Sequence, residues 1–354
     1  MAHLSVQQML GFQAGALRSF LASRFLVHKP FLLSHLITTA CNAFCQYCIW
    51  KSSREDELTT DEITKLYGDA RREGFFINAI WGGEPLLRSD LAAVGKFSAD
   101  LGFFTVVFTN GYFLADRHEF AEYPNALILS LDDTEDRHDR LRGVEGLFER
   151  ALEGVEVVRT KHPYTYIAIN CLVSRLNRGA AERVIRLGRE IDLPVFISPV
   201  LDTTDAAFPP APEIPPDLTA AGDVLAEEFA VVRRYKERGY RINTSYLFAD
   251  YFIGKQSQYR CHWPKIRLDV SSRGDVGTCL SSEGFGNIRD RSLREILRSK
   301  SFKDRLAGLG GCSRACQWSD SIESSALYGF SLPSLMNSAV MYHDVLDVNL
   351  NGRH

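Results

Sequence analysis

Apolar runs typical of buried strands alternate with amphipathic helical segments between residues 31 and 200. The strand-like runs are 32–39, 75–81, 103–109, 126–131, 166–173 and 194–199, and helices are predicted at 59–72, 89–101, around 116, at 146–161 and at 180–191. Thr59 and Glu62 form a T-x-x-E pattern, which typically caps the start of a helix. A strand followed by a helix, repeated along the chain, predicts an α/β fold with parallel strands and right-handed crossovers.

The alternation stops after residue 200. Residues 201–216 are rich in proline, which excludes a helix or a central strand, so this stretch is either a linker or a lid. A helix is predicted at 218–239. Alternating residues on both sides of a turn at 273–275 predict a hairpin beyond residue 266.

The composition is that of an ordinary globular protein. The chain has 354 residues, of which 45% are hydrophobic and 24% charged, and its formal net charge is -3. A near-neutral charge gives no reason to expect a nucleic-acid partner. The apolar stretch 20–40 is interrupted by charged residues and a proline, so it does not predict a membrane-spanning helix.

Residues 5–27 have the pattern of an amphipathic helix. Its apolar positions are Met9, Phe12, Leu17, Phe20, Leu21 and Phe25. Such a helix usually packs on its own domain, and this is the expectation. Membrane association through this segment is the less favoured alternative.

Eight cysteines are present, and no signal peptide is visible at the start of the chain. Clustered cysteines without a signal peptide are typical of metal ligands in a reducing compartment, so we expect a cytoplasmic protein. Cys41, Cys45 and Cys48 form a C-x3-C-x2-C run after the first predicted strand. Three thiolates on one loop can hold three corners of a [4Fe-4S] cluster and leave one iron open to a small molecule. Structural zinc sites favour C-x2-C pairs, which match this spacing poorly.

A second motif, Trp81-Gly82-Gly83-Glu84-Pro85, follows the second predicted strand. Together with the cysteine run it resembles the radical S-adenosylmethionine (SAM) superfamily. The resemblance implies a partial (β/α)6 TIM-like barrel and a [4Fe-4S] cluster whose open iron chelates the amino and carboxylate groups of SAM. One electron from that cluster then cleaves SAM into methionine and a 5'-deoxyadenosyl radical.

The resemblance also assigns SAM contacts to residues at the ends of predicted strands. An aromatic between the last two cysteines lies near the adenine, the G-G-E-P motif near the methionine amino group, and an arginine clamps the carboxylate. The SAM-binding residues implied in this way are Tyr47, Gly82, Gly83, Glu84, Thr109, Asn110, Ser130 and Arg142.

The stretch after the fourth predicted strand resembles one branch of the superfamily more closely. Ser130-Leu-Asp-Asp133, followed by His138-Asp and Arg142-Gly, is similar to the S-L-D-G … H-D … R-G pattern of peptide-modifying and sulfatase-maturing members. Asp133 departs from that pattern because glycine is usual there. A tight turn at this position is therefore less assured.

Cysteines also cluster towards the end of the chain. They are Cys261, Cys279, Cys312 and Cys316, whereas Cys171 stands alone in a predicted strand and is expected in the core. The order of the four clustered cysteines along the chain resembles the auxiliary-cluster extension called SPASM or, in a shorter form, twitch. Four thiolates are enough to ligate one [4Fe-4S] cluster completely, which favours the twitch form. A four-cysteine zinc site is the alternative.

The predicted domains follow from these motifs. They are an amphipathic segment (1–30), the radical SAM partial barrel (31–200), a proline-rich linker and helical connector (201–259), an α/β-hairpin cluster domain (260–317) and a C-terminal tail (318–354).

The resemblance implies an oxidoreductase or C–H-activating enzyme. We expect a small-molecule or natural-product substrate, net oxidation through the auxiliary cluster, and a flavodoxin- or ferredoxin-type electron donor. The alternatives are a peptide-modifying enzyme, a lipid-modifying enzyme and a non-catalytic electron-transfer protein. The few residues before the first strand argue against a separate peptide-recognition domain. Asp250 and Asp269 are possible bases for an oxidation.

Overall fold

The computed structural model describes the chain in stretches, namely residues 14–15, 17–27, 29–48, 56–200, 218, 222–255, 259–279, 284–308, 316 and 319–352. The proline-rich stretch 201–216, the first half of the predicted N-terminal helix and Cys312 lie outside these residues.

The described strands form one sheet. They are β1 (Leu32–Thr38), β2 (Ile77–Gly82), β3 (Phe104–Thr109), β4 (Ala126–Ser130), β5 (Tyr166–Val173), β6 (Val195–Pro199), β7 (Arg267–Val270), β8 (Asp275–Gly277) and β9 (Gly286–Asn287). Their order across the sheet is β6-β5-β4-β3-β2-β1-β7-β8-β9. Strands β1 to β6 are parallel and neighbour one another in chain order. This arrangement confirms the predicted partial barrel.

Helices follow most of the strands. They are α1 (Thr60–Arg72), α2 (Leu91–Asp100), α3 (Glu135–Arg142), α4 (Leu147–Lys161), α5 (Ala180–Glu190), α6 (Gly222–Glu237), α7 (Tyr246–Phe252), α8 (Leu293–Arg298), α9 (Lys300–Ala307), α10 (Ser319–Tyr328) and α11 (Leu332–Asn351). The predicted capping box at the start of α1 is present, since Thr59 and Glu62 bond reciprocally. The predicted short helix near residue 116 is a 3-10 turn, His118–Glu122.

The main hydrophobic core lies between the convex face of the sheet and the helices. Alternate strand residues such as Leu33, Ile80 and Leu129 are fully buried there. Cys171 belongs to the same core, as predicted from its isolated position in a strand. Replacing one of the large side chains by alanine costs about 2–5 kcal/mol, because the close-packed neighbours cannot fill the cavity.

The connector after residue 221 is part of this core. Phe229 on α6 and Phe248 on α7 are completely buried, and their rings are in edge contact at 5.3 Å. Ile242 forms a parallel bridge with Val195, which extends the sheet beyond the edge of β6. Helices α6 and α7 and the Ile242 bridge are therefore packed against the barrel as part of its core.

The C-terminal hairpin continues the barrel sheet. Strand β7 pairs in parallel with β1, and β8 and β9 follow as antiparallel neighbours. The hairpin predicted around the turn at 273–275 is thereby confirmed. Because β7 occupies the free edge of β1, the hairpin and the cysteine loop after β1 are held by one hydrogen-bonded sheet.

Helix α11 closes the end of the barrel at which the strands begin. Val345 and Val348 pack on the concave face of the sheet against Ala126 and Tyr166. The side-chain amide of Asn349 donates to the carbonyl of Asn125 at 2.9 Å. The opposite end, where β1 to β4 finish and the motifs lie, is left open by this helix. No helix in the described stretches is long and apolar enough to cross a membrane.

Candidate functional site

The cysteine loop is anchored to the end of α3. The backbone N–H of Phe44 donates to the carbonyl of Arg142 at 2.8 Å, and that of Gln46 to the carbonyl of Leu141 at 3.4 Å. Gly143 ends α3 with a φ of 65°, and a Cβ added to it would lie 3.0 Å from the Cβ of Phe44. The glycine thus permits both the left-handed cap and the close approach of the loop.

The three thiols of the loop are buried or half-buried. Burial raises the pKa of Cys41 to about 11, and negative charge on Glu84, Cys45 and Cys48 adds to the rise. A bound cation would remove this penalty, since ligation favours thiolates. No three His, Cys, Asp or Glu side chains of the described residues converge as ligands of a single ion. A cubane does not require such convergence because each thiolate binds a separate iron.

The two glycines of the G-G-E-P motif pack against the backbone that enters the cysteine loop. A Cβ added to Gly82 would lie 2.2 Å from the carbonyl oxygen of Thr38, and one added to Gly83 would lie 2.1 Å from that of Ala40. The N–H of Gly83 donates to Thr38 O and that of Glu84 to Ala40 O, both at 2.8 Å. Glycine is therefore required at both positions because no side chain fits between the two loops. Sequence reasoning missed this requirement.

Glu84 is fully buried and holds the ends of β2 and β3 together. Its Oε1 accepts from Thr109 Oγ1 at 2.9 Å and from Leu86 N at 3.0 Å, and its Oε2 accepts from Asn110 N at 2.7 Å. Burial raises the pKa of Glu84, and these hydrogen bonds offset part of the rise. In this structure Glu84 is a positioning residue, and its contact with SAM stays a prediction.

Asn110 reaches from the end of β3 to the cysteine loop. Its Nδ2 donates to Asn42 Oδ1 at 2.9 Å. The Nδ2 of Asn42 is buried and has no hydrogen-bond partner among the described residues. Sequence reasoning missed Asn42, whose only signal was its place directly after Cys41. A buried donor without a partner is the kind of group that a ligand satisfies.

Asp132 is the centre of a buried network beneath the loop. Its Oδ2 accepts from Arg142 Nη2 at 2.6 Å and from the hydroxyl of Tyr47. Its Oδ1 accepts from Leu172 N at 2.8 Å. The side chain of Asp132 is completely buried, so these donors replace the water that a carboxylate would otherwise require.

The network gives Tyr47 and Arg142 structural roles in addition to the SAM contacts first expected of them. Tyr47 is 5% exposed and its hydroxyl is bound to Asp132, so it clamps the loop to the barrel. Burial acts to lower the pKa of Arg142, but the charges of Asp132 and Cys45 outweigh it and the pKa rises well above its usual value. Arg142 is buried, so it is not a solvated surface arginine. The predicted contacts of both residues with SAM stay predictions.

Arg142 nevertheless keeps one donor for a ligand. Its Nε is buried and makes no hydrogen bond within the described stretches. Asp132 therefore holds the guanidinium at Nη2, and the Nε–H remains able to donate a hydrogen bond to a ligand. A guanidinium held in this way is suited to a carboxylate.

The H-D … R-G pattern is explained by folding contacts. Asp132 N donates to His138 Nδ1 at 3.2 Å, and the pKa of His138 is lowered to about 3 by burial and then by the charge of Arg142. His138 is therefore neutral. Asp139 accepts from Gly146 N at 2.6 Å and from Phe148 N at 2.8 Å, which caps the start of α4.

Asp133, the departure from the family pattern, does not disturb the turn. Its φ is not positive, so this backbone has no need of glycine. Its two carboxylate oxygens accept from Arg183 Nε and Nη2, both at 2.7 Å. This bidentate ion pair fixes the loop to α5, and the concern about the tight turn is resolved.

The concave face of the sheet presents polar groups to the barrel interior. Trp81 Nε1 donates to Ser34 Oγ at 2.7 Å. The guanidinium of Arg267 lies 5.6 Å from the ring of Trp81, and its Nε donates to Asp269 Oδ1 at 2.6 Å. Ser130 ends β4 on the same face and is half-buried. The other candidate base, Asp250, lies on α7, and its Oδ1 is 2.8 Å from Nη1 of Arg233 on α6.

Two of the described auxiliary cysteines, Cys261 and Cys316, lie near Tyr259. The hydroxyl of Tyr259 donates to the carbonyl of Cys316 at 2.9 Å. Burial, and then negative charge on Cys261 and Cys316, raises the pKa of Tyr259. Cys279 is half-buried just beyond β8. The fourth cysteine, Cys312, is outside the described residues, so the complete ligand set stays a prediction.

We expect about eight irons per chain, because two cubane clusters need twice the iron of one. Elemental analysis of the anaerobically purified protein measures this directly. Cys312→Ala/Cys316→Ala should retain about four irons, whereas Cys171→Ala, the matched control in the core, should retain all of them. One zinc with about four irons in the parent would show that the tail is a structural zinc site.

The residues present fit a cluster and SAM. A tightly anchored loop carries three cysteines, and Asn42 Nδ2 and Arg142 Nε are buried donors without partners in the described part of the chain. A cluster on this loop would be held by Cys41, Cys45 and Cys48. SAM would lie against Asn42, Arg142 and the backbone of the G-G-E-P turn.

Comparison with known proteins agrees with this geometry. The sequence profile of the radical SAM superfamily matches residues 36–187, and that of an iron-sulfur cluster-binding domain, SPASM, matches residues 261–318. An AdoMet-dependent heme synthase from Methanosarcina barkeri (strain Fusaro / DSM 804) is 33% identical over 175 residues, 47% of this chain. The match covers 49% of that protein, so the chain spans about half the length of this curated relative.

Solved structures show the same fold. Streptococcus suis SuiB bound to its precursor peptide SuiA aligns with a TM-score of 0.65 at 15% identity, covering 88% of this chain and 74% of SuiB. Native anSMEcpe with bound AdoMet aligns with a TM-score of 0.61 at 17% identity, covering 90% of this chain and 99% of anSMEcpe. Identities this low are evidence for the fold alone.

The two sequence profiles together cover more than half of the chain, and they match the regions that contain the two cysteine sets. This protein therefore belongs to the radical SAM superfamily and has a C-terminal SPASM-type domain, which implies a [4Fe-4S] cluster, SAM and an auxiliary iron-sulfur cluster as its cofactors.

Proposed function

We propose that this chain reductively cleaves SAM and abstracts hydrogen from a small molecule bound in the barrel, with net oxidation of that molecule. The observation that carries the proposal is the meeting of the cysteine loop, the G-G-E-P turn and two unpartnered buried donors, Asn42 Nδ2 and Arg142 Nε. The first cluster, when bound, supplies the electron that splits SAM into methionine and a 5'-deoxyadenosyl radical. The auxiliary cluster, when bound, supplies an electron acceptor.

The protein's own part in this reaction is to orient SAM and exclude water. Arg142 and Asn42 would donate to the SAM carboxylate, and Ser130, on the concave face, would donate to the ribose. Asp132 prevents the guanidinium of Arg142 from rotating, since it holds Nη2 at 2.6 Å. Fixed donors of this kind lower the entropy cost of reaching a reactive geometry.

The substrate would lie on the concave face, between the cysteine loop and α11. Half-buried aromatic side chains, Phe108 and Phe196, form its apolar wall. Arg267 and Asp269 form a polar group on the β7 side, and Arg267 lies 4.8 Å from the ring of Trp263. An aromatic wall beside one ion pair suits a substrate that is mainly apolar and carries a hydroxyl or amino group.

Asp269 is the stronger candidate for the base. Its Oδ2 accepts no hydrogen bond from the described residues, and its side chain is 17% exposed. A substrate radical next to a hydroxyl or amine would give its proton to Oδ2 and one electron to the acceptor. The product would be a ketone or an imine, two electrons more oxidised than the substrate.

The proposed function is tested by anaerobic reconstitution with iron and sulfide. Parent protein with SAM and dithionite should release 5'-deoxyadenosine and methionine in equal amounts, measured by liquid chromatography. Omitting the reductant should stop the release, because the cleavage consumes one electron. Release no greater than in a protein-free control would exclude this chain as a SAM-cleaving enzyme.

The role of Asp269 is tested with a substrate panel of amino alcohols, short peptides and tetrapyrrole carboxylates. With the compound that is consumed, Asp269→Asn should form about a hundredfold less oxidised product per 5'-deoxyadenosine, since a base typically contributes 10²–10⁴-fold. The matched control is Asp250→Asn on α7, which should keep the parental ratio. Equal ratios in Asp269→Asn and the parent would remove Asp269 from the reaction.

A tetrapyrrole is a second candidate substrate. The relative that is 33% identical over 175 residues is a heme synthase. The aromatic wall and Arg267 would suit a flat ring that carries carboxylates. Consumption of the tetrapyrrole alone from the panel would favour this candidate over an amino alcohol.

A further inference from the structure

Helix α11 exposes an apolar face. Leu332, Met336 and Val340 follow one another at intervals of four residues and are 67%, 63% and 65% exposed. Pro333 and Ala339, the other exposed positions of this stretch, are also apolar. No charged residue occurs between Ser324 and Tyr342. Over residues 332–340, about two turns of the helix, every exposed side chain is therefore apolar.

The N-terminal helical segment, 17–27, has a second apolar stripe. Leu17, Leu21 and Phe25 are again four residues apart and are 59%, 38% and 59% exposed. The ring of Phe25 stacks on Phe330 with centroids 6.0 Å apart, and Phe330 is itself 44% exposed just before α11. The two stripes come from distant parts of the sequence and meet at these rings. We call them together the apolar surface.

Positive charges lie along this surface. Arg18 is exposed on the N-terminal segment, and the guanidinium of Arg24 lies 5.8 Å from the ring of Phe330. Burial, and then the positive charges of Arg260 and Arg24, lowers the pKa of Lys265. Arg24, Arg260 and Lys265 are therefore close enough to repel one another. An anionic partner would relieve the repulsion.

We propose that the apolar surface docks onto a membrane that contains anionic lipids. Leu17, Phe25, Met336 and their neighbours would enter the boundary between headgroups and acyl chains, and Arg18 and Arg24 would meet lipid phosphates. Amphipathic helices that combine an apolar face with basic residues bind membranes in this way without spanning them. The inference rests on the surface alone and is independent of the proposed reaction.

Charge favours a membrane over a second copy of the chain. Two copies meeting through this surface would bring Arg18 and Arg24 of each close to the same residues of the other. Like charges brought together at an interface oppose association. An anionic lipid surface instead attracts each cation, and this attraction weakens with salt.

The test uses full-length reconstituted protein and sucrose-loaded vesicles. One set contains phosphatidylcholine, and the other contains three parts phosphatidylcholine to one part phosphatidylglycerol. The parent should sediment with the anionic vesicles at low salt. Leu332→Ser/Met336→Ser/Val340→Ser should bind about tenfold more weakly at any salt concentration. Arg18→Gln should lose about fivefold, and only at low salt.

Matched controls come from exposed residues elsewhere. Leu176→Ser replaces a leucine that is 41% exposed on another face, and Lys300→Gln replaces a side chain that is 90% exposed on α9. Both should bind as the parent does. Parental binding by the triple variant would overturn the proposal. A dimer in sedimentation velocity that the triple variant abolishes would identify a second copy as the occupant. Binding that appears only after removal of residues 1–13 would show that this segment covers the surface.

Discussion

Replacing Cys41, Cys45 and Cys48 together by alanine should abolish the release of 5'-deoxyadenosine from SAM. The loop that carries them is fixed to the end of α3 by two backbone hydrogen bonds. Without the thiolates the first cluster is not held, and no electron reaches SAM. The product should fall to the level of a protein-free control, measured by liquid chromatography after anaerobic reconstitution.

The control for this variant removes a thiol from the same barrel. Cys171 is completely buried in the main core, and its Sγ lies 3.7 Å from the carbonyl oxygen of Asp132. Cys171→Ala should cost about 1 kcal/mol of stability and leave the cleavage rate near that of the parent. Equal 5'-deoxyadenosine from the triple variant and the parent would move the radical site away from this loop.

Replacing Arg142 by alanine should destabilise the protein by about 3–5 kcal/mol, because it breaks a buried ion pair. Arg142 Nη2 is the positive partner of Asp132, whose carboxylate is completely buried. Removing the guanidinium leaves that charge with the hydroxyl of Tyr47 and the N–H of Leu172 only. Urea denaturation under anaerobic conditions measures the loss. SAM affinity, measured by calorimetry on the folded fraction, should fall as well because the free Nε is lost.

Helix α3 offers a matched control. Arg140 lies two residues earlier, is 69% exposed and is 3.9 Å from Asp136, so Arg140→Ala should change stability by less than about 0.5 kcal/mol. Adding Asp132→Asn to Arg142→Ala should recover part of the loss, since the uncompensated charge is then gone. A cost below about 1 kcal/mol for Arg142→Ala would mean that Asp132 is not held as an ion pair.

The strands and the placement of the motifs were predictable because both follow from local pattern. Strand β5 has the predicted bounds, 166–173, since its apolar run is long and is bounded by polar residues. The G-G-E-P motif and Ser130 were placed at strand ends, where parallel sheets bring side chains together. The family resemblance then connected these residues to one cofactor.

The partners of the site residues were not predictable. Tyr47 bonds to Asp132, which is 85 residues away in the chain, and no periodicity records such a pairing. Asn42 has no motif of its own, and its significance arises only from the contact with Asn110. Which side chains at strand ends contact one another depends on their distance in space. That distance is known only once the fold is known.

Helix α11 escaped prediction for a different reason. Its apolar residues occur both on the buried face, as Val345 and Val348, and on the exposed face, as Met336 and Val340. Helical periodicity is visible only when one face is polar. The stretch was therefore predicted only as part of a C-terminal tail (318–354), although residues 332–351 form a helix that closes the barrel.

The pairing of β7 with β1 has a consequence for how this protein is made. On the ribosome β1 emerges early, and its free edge is covered only when residues 267–270 have been synthesised. Until then an apolar strand that includes Leu33 exposes unpaired N–H and C=O groups, which is the pattern that recruits other chains into aggregates. Prematurely terminated chains that end before the hairpin would carry this edge permanently. The auxiliary domain thus also acts as the cover that keeps the barrel from self-association.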